Sequence, residues 1–175
     1  MYYGTIKNCT ISHTDATIVL PYIDSIHTRN YILNGKSLHS GIDIICRKIY
    51  TPCNCVILST AKVEELYSII LQYSVDICLR FTNLKSVNVA PGNLILAESE
   101  IATSNSYVHV EYLTTSINSI QPWTIRIGPL QLYKHDPLPI LDGSFVFDNT
   151  IQLENEYDDK YFTQSYPPGY VEGPY

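Results

Sequence analysis

Short runs of β-branched and aromatic residues, each cut off by a turn signal, recur along the chain and leave little room for helix. They fall at residues 17–20, 42–46, 53–58, 75–79, 94–96, 107–112, 123–127 and 144–147. Side chains of this kind fit the pleated, half-buried surface of a sheet. Between the runs stand Asn34-Gly35, Pro91-Gly92-Asn93 and Asp142-Gly143. These supply the positive φ or the fixed proline φ that tight turns require. Residues 61–70 hold the one stretch with room for a helical turn or two, and it reads equally well as strand. The pattern predicts a mainly β protein built on an antiparallel sheet, without solenoid repeats.

At 175 residues, with 45% hydrophobic and 16% charged content, the chain fits one domain with a sizeable core. A net charge of −6 argues against nucleic acid or anionic lipid as partner, since both call for a basic surface. No apolar run approaches the roughly eighteen residues of a membrane span. The opening Met1-Tyr2-Tyr3-Gly4-Thr5 lacks the basic-then-apolar order of a secretory signal, so synthesis in a host cytoplasm without export by a leader is expected. The five cysteines, Cys9, Cys46, Cys53, Cys55 and Cys78, are odd in number in a chain that is not small. Buried thiols acting as small apolar residues are the expected state, and Cys53-Asn54-Cys55 lacks the second pair a zinc site needs.

Two stretches carry the chemistry. In Ser37-Leu38-His39-Ser40-Gly41-Ile42-Asp43, His39 and Asp43 are four apart and share a face if the segment is extended. In Tyr107-Val108-His109-Val110-Glu111, His109 shares a face with Tyr107 and Glu111, and the valines take the other. Two imidazoles and a carboxylate, His39, His109 and Asp43, are the ligand types of a catalytic zinc centre with one position open for water. His13, His27 and His135 read as turn, surface or packing residues.

The two stretches resemble the H-x-G-x-D and H-x-H-x-E motifs of the M23 (LytM, lysostaphin-like) zinc endopeptidases, which cut peptide cross-links in bacterial cell walls. The first motif is complete as His39, Gly41 and Asp43; the second keeps His109 and Glu111 but has Tyr107 for its leading histidine. Further along, Phe81-Thr82-Asn83-Leu84 is similar to the family's Y-x-H-L, with Asn83 for histidine. Arg29 matches the arginine of F-G-x-R, and Asp136-Pro137-Leu138-Pro139 matches D-P-L-P. Val89, Gly92, Ile95 and Ile101 follow a glycine-spaced rhythm in which Glu98 and Ala102 replace glycines.

The resemblance, over about residues 18 to 142, implies the family's β-sheet fold. It implies zinc ligands at His39, Asp43 and His109, holding one Zn2+ that is vestigial or structural. It also implies that both catalytic histidine positions are lost, to Asn83 and Tyr107. A phenol with a pKa near 10 is a proton donor at neutral pH and not a base. Losing a positioned general base costs about 10²–10⁴ in rate. Asn83 still has an N–H to offer an oxyanion, and Glu111 is a weak candidate for a substitute base.

Residues 1–17 read as a lead-in, 18–150 as the M23-like domain and 151–175 as an acidic, Tyr- and Pro-rich arm. The arm's Tyr157, Tyr161, Phe162, Tyr166, Tyr170 and Tyr175 offer large contact area at low entropy cost. They are the expected partner-binding residues. The combined expectation is a non-catalytic structural or docking protein of a phage tail tip or baseplate hub, with other tail proteins, and secondarily peptidoglycan, as partners. The competing expectation is an atypical zinc endopeptidase acting on peptidoglycan cross-links during infection or lysis.

Overall fold

The computed structural model describes residues 17–20, 41–51, 53–118, 123–127, 129–140, 146–147 and 171–174. Among them, twelve strands join in one sheet whose axis is the longest strand, β8 (Glu100–Thr114). One edge of β8 carries three short strands end to end: β10 (Leu130–His135), β2 (Ile42–Ile45) and β3 (Lys48–Tyr50). The other edge pairs with β6 (Ile77–Val87), which leads into a meander through β5 (Leu66–Ser74) and β4 (Cys55–Val63) to β7 (Leu94–Ile95). Beyond β2 lies β1 (Thr17–Leu20), paired in parallel with β11 (Val146–Phe147). Beyond β10 lies β9 (Trp123–Ile127), paired with β12 (Val171–Pro174). Every other pairing is antiparallel, as the strand pattern predicts.

Local chemistry explains the turns. Ala90-Pro91-Gly92-Asn93 closes with the Asn93 N–H donating to the Ala90 carbonyl at 3.1 Å, and Gly92 has φ +86°. Proline followed by glycine at positive φ is the sequence of a type II turn. Asp136 accepts a hydrogen bond from the Leu138 N–H at 2.9 Å, opening the single 3-10 turn of the described residues, Leu138–Ile140. The Asn34-Gly35 and Asp142-Gly143 turns lie outside the described residues.

Residues 61–70 are strand rather than helix. Val63 pairs with Leu66 across a two-residue turn at Glu64 and Glu65, with Glu64 at φ 55°. In β5, Ile69 and Leu71 enter one core cluster while Ile70 enters another. A strand buried on both faces reads as a continuous apolar run, which has no period to separate it from helix.

The faces of β8 divide the interior. Val108 and Val110 join Ile42, Ile44, Phe81, Leu79 and Leu71 in the larger apolar core. His109, Glu111 and Leu113 face the other way, Leu113 into a smaller cluster with Cys78, Ile125 and Leu132. Among the described residues no helix is long and apolar enough to cross a membrane. Cys46, Cys55 and Cys78 are buried free thiols, and burial raises their pKa to about 12, 11 and 12. Lacking thiolate character, they behave as packing groups.

β12 belongs to the segment read as an arm, and it adds to the chain's own β9 in antiparallel register, Val171 opposite Arg126 and Pro174 opposite Trp123. The aromatic residues expected to bind a partner, Tyr157, Tyr161, Phe162, Tyr166, Tyr170 and Tyr175, lie outside the described residues.

Candidate functional site

The H-x-G-x-D motif reaches the site through Gly41. A Cβ at this position would stand 2.1 Å from the Val110 carbonyl oxygen, so only glycine lets β2 start this close to β8. Two residues on, Asp43 sits directly across from His109, and on the far side of β8 Thr82 sits across from His109 and Arg80 from Glu111. Cross-strand neighbours on one face have Cβ atoms about 5 Å apart, which brings their side chains together.

The result is a chain of ion pairs with no exposure to solvent. The Nδ1 of His109 lies 2.7 Å from Asp43 Oδ1, and its Nε2 lies 3.1 Å from Glu111 Oε1, both hydrogen-bonded. The same Glu111 oxygen accepts from Arg80 Nη1 at 2.9 Å, and Lys134 Nζ on β10 lies 3.5 Å from Glu111 Oε2. Asp43, Arg80, His109 and Glu111 are 0% exposed and Lys134 is 1% exposed. Charges this deep are tolerated only when paired.

Each member shifts the others. Burial works against a charged His109, but hydrogen bonds and negative charge from Asp43 and Glu111 prevail and raise its pKa above the ordinary histidine value. Burial also works against the Glu111 carboxylate, yet Lys134, Arg80 and His109 hold its pKa far below the usual range. Lys134 is lowered to about 8, chiefly by burial and further by the neighbouring Arg80, with Glu111 opposing. Glu111 is thus a fixed anion among cations, not a base.

The two replaced histidine positions are spent structurally. Asn83 bridges a bulge where Thr82 and Leu84 of β6 pair with His109 and Ser104 of β8, leaving residues 105–108 of β8 without register partners on β6. Its backbone is left-handed at φ 65°, a region asparagine tolerates well. Its amide nitrogen donates to the carbonyls of Asn105 and Tyr107, both at 2.9 Å. A side-chain amide has two N–H groups, so neither remains for an oxyanion. Tyr107 is buried, 2% exposed. His135, read as a packing residue, donates to the Ser116 carbonyl at 2.8 Å beside the Tyr112 ring.

The structure brings together Asp43 and His109 of the expected zinc set; His39 lies outside the described residues. Two donor atoms on one tetrahedral zinc, with bonds of about 2.0–2.1 Å, stand roughly 3.3 Å apart. Asp43 Oδ1 and His109 Nδ1, at 2.7 Å, are at hydrogen-bond distance instead. Nor can one ion serve both carboxylates and the ring, because Asp43 and Glu111 flank opposite ring nitrogens. No group of three or more His, Cys, Asp or Glu among the described residues is arranged to hold a metal. Without His39, the described residues by themselves do not make up a zinc site.

Arg80 and Lys134 are functional-site residues that the sequence reading missed. Their signal was a lone charge inside an apolar strand, Cys78-Leu79-Arg80-Phe81 and Leu132-Tyr133-Lys134.

No protein-family model matches the chain, and no curated protein matches it in sequence. Solved structures do match its fold. Lysostaphin from Staphylococcus simulans aligns with a TM-score of 0.56 at 14% identity, covering 88% of this chain and 61% of that one. A chain of the SpoIIQ–SpoIIIAH pore-forming complex aligns with a TM-score of 0.54 at 15% identity, covering 79% of this chain and 93% of that one. A zinc-containing peptidase from Vibrio cholerae aligns with a TM-score of 0.52 at 14% identity, covering 64% and 37%. The chain thus spans under two thirds of the two peptidases. It has the mainly antiparallel β fold of the lysostaphin and LytM-like peptidases.

Proposed function

We propose that this chain uses a peptidase fold for docking and not for hydrolysis, as a structural component of a phage tail tip or baseplate hub. The observation that carries the reading is His109, whose two ring nitrogens each lie at hydrogen-bond distance from a buried carboxylate, an arrangement that favours the ring protonated on both. An imidazole protonated on both nitrogens has no lone pair for a metal or for a proton from water. Asn83 supports it, since both its donors hold the β8 loop. With Tyr107 in place of the other histidine, the described residues retain neither a general base nor an oxyanion donor at the family's positions.

The partner half of the proposal has separate support. The same fold occurs in a chain of the SpoIIQ–SpoIIIAH pore-forming complex, so it is compatible with work in an assembly. The acidic segment with Tyr157, Tyr161, Phe162, Tyr166, Tyr170 and Tyr175 supplies the residue types that contact surfaces favour. Tail proteins are the proposed partners and the virion the proposed location, with peptidoglycan a ligand it would touch without cutting.

The experiment is incubation of the full chain with purified bacterial walls, reading the release of new amino termini. The docking reading expects background release and expects the chain among the proteins of purified tail assemblies. Release at a rate comparable to lysostaphin would establish the competing endopeptidase reading and overturn this one.

A further inference from the structure

Arg47 and Lys85 are brought to one place by two local devices. Ser104 of β8 fastens the β2–β3 turn twice: its N–H donates to the Arg47 carbonyl at 2.9 Å and its hydroxyl donates to the Cys46 carbonyl. The turn is thus held against the sheet while Arg47 stays exposed. On β6 the register shifts between Leu84 and Ser86, so Lys85 has no register partner on β8. Consecutive strand residues ordinarily point to opposite faces, and a bulge re-aims one of them. Lys85 accordingly lines the same cleft as Ser86, a hollow of about 310 Å³ completed by Arg47, Thr103 and Ser104.

This cleft is cationic in a chain of net charge −6. Elsewhere Lys48 pairs with Glu100 at 3.8 Å, Lys62 lies over the Tyr67 ring, and Arg80 and Lys134 face Glu111. Among the described residues, neither Arg47 nor Lys85 has a carboxylate at ion-pair distance. The Ser86 and Thr103 hydroxyls lie 2.6 Å apart, so one donates to the other and one O–H stays available to a ligand.

We propose that this cleft binds a phosphoryl group, carried by a small phosphate ester or by inorganic phosphate. Two cations match a phosphoryl charge of about −1.5 to −2 at neutral pH, whereas a carboxylate brings only one charge. The guanidinium fork grips two oxygens, and the ammonium acts as a point charge. Lys85 also borders a second hollow lined by Glu64, Glu65, Leu66 and Asn105. An extended polyanion leaving the cleft past Lys85 would meet those carboxylates, so the ligand is compact and presents one anionic group. None of the five lining residues belongs to the buried cluster around His109, and the proposal does not depend on the docking reading.

The test titrates the full chain, in phosphate-free buffer at fixed ionic strength, with inorganic phosphate, glycerol 3-phosphate or acetate, and follows the amide NMR shifts. One saturable site is expected, with shifts concentrated at residues 47, 85, 86, 103 and 104 and acetate weaker by roughly tenfold or more. Arg47→Gln and Lys85→Gln are each expected to weaken phosphate roughly tenfold. Both side chains are exposed, so without ligand each variant is expected to melt at the parental midpoint. Tighter binding of the ester names a phosphorylated molecule as the source and tighter binding of phosphate names the free ion; either supports the proposal. Shifts that never saturate or that scatter over the surface overturn it. So does acetate binding as tightly as phosphate, or parental affinity in both variants. A silent titration leaves the docking reading standing, and wall cleavage leaves this cleft standing.

Discussion

The two faces of β8 share a backbone and differ in what holds them. On one, Val108 and Val110 pack with Ile42, Ile44 and Phe81 in a continuous apolar core. On the other, His109 and Glu111 are held by Asp43, Arg80 and Lys134, all shielded from solvent. The apolar face tolerates gradual change, since its contacts are many and individually weak. The charged face does not, because each member is the desolvated partner of another.

The sharpest way to break that contrast is to neutralise the centre of the charged face. Glu111→Gln leaves Arg80 and Lys134 facing a neutral amide and is expected to cost about 3–5 kcal/mol in denaturant unfolding. Val110→Ala, one residue away on the apolar face, is expected to cost about 2–3 kcal/mol from lost burial and the cavity left behind. Equal costs would remove the distinction between the faces.

Acidity sharpens it further. Glu111 has a depressed folded-state pKa, so its contribution is present above the unfolded value near 4.3 and is lost as pH falls toward the folded one. Below about pH 4, stability is expected to fall by up to about 1.4 kcal/mol per pH unit from this group, a slope that Glu111→Gln removes. Lys134 acts at the other end. Its folded pKa of about 8 lies below the unfolded value, so the unfolded chain holds more protons between there and about pH 10.4. Its contribution to stability therefore rises with pH in that window, and Lys134→Met flattens the rise in unfolding curves taken from pH 8 to 10.

A smaller effect is expected at the β6–β8 bulge. Asn83→Ala strips the donors from two carbonyls and puts a β-carbon without a polar end at φ 65°, for an expected loss of about 2 kcal/mol. Increased amide exchange confined to residues 104–108 would mark the cause as the loop.

The smallest concerns Glu98, which stands at φ 67° where the resembled family has glycine. Glu98→Gly is expected to stabilise by about 0.5–1 kcal/mol, the left-handed strain relieved minus glycine's extra unfolded entropy. A loss would show that the glutamate side chain has a role beyond filling the turn.

Much of the sheet was legible because strands such as β1, β2 and β9 announce themselves by β-branched runs. β3, three residues long, and β12, with a glycine and a proline, have too little pattern to be read alone. Asp43 and His109 were legible through their motifs, and Gly41 acquired its reason only from the Val110 carbonyl it must clear. Arg80 and Lys134 were not, because a lone charge in a strand normally belongs to a side chain that faces solvent. Here that face is covered, which alternation along one strand cannot disclose.

The account turns on the protons of one ring. Nitrogen-15 spectra of the histidine side chains at neutral pH, with His109 assigned through a His109→Gln variant, report whether each ring nitrogen carries hydrogen. Protons on both Nδ1 and Nε2 of His109, unchanged by added zinc, are the predicted result; one bare nitrogen whose signal moves when zinc is added would contradict it.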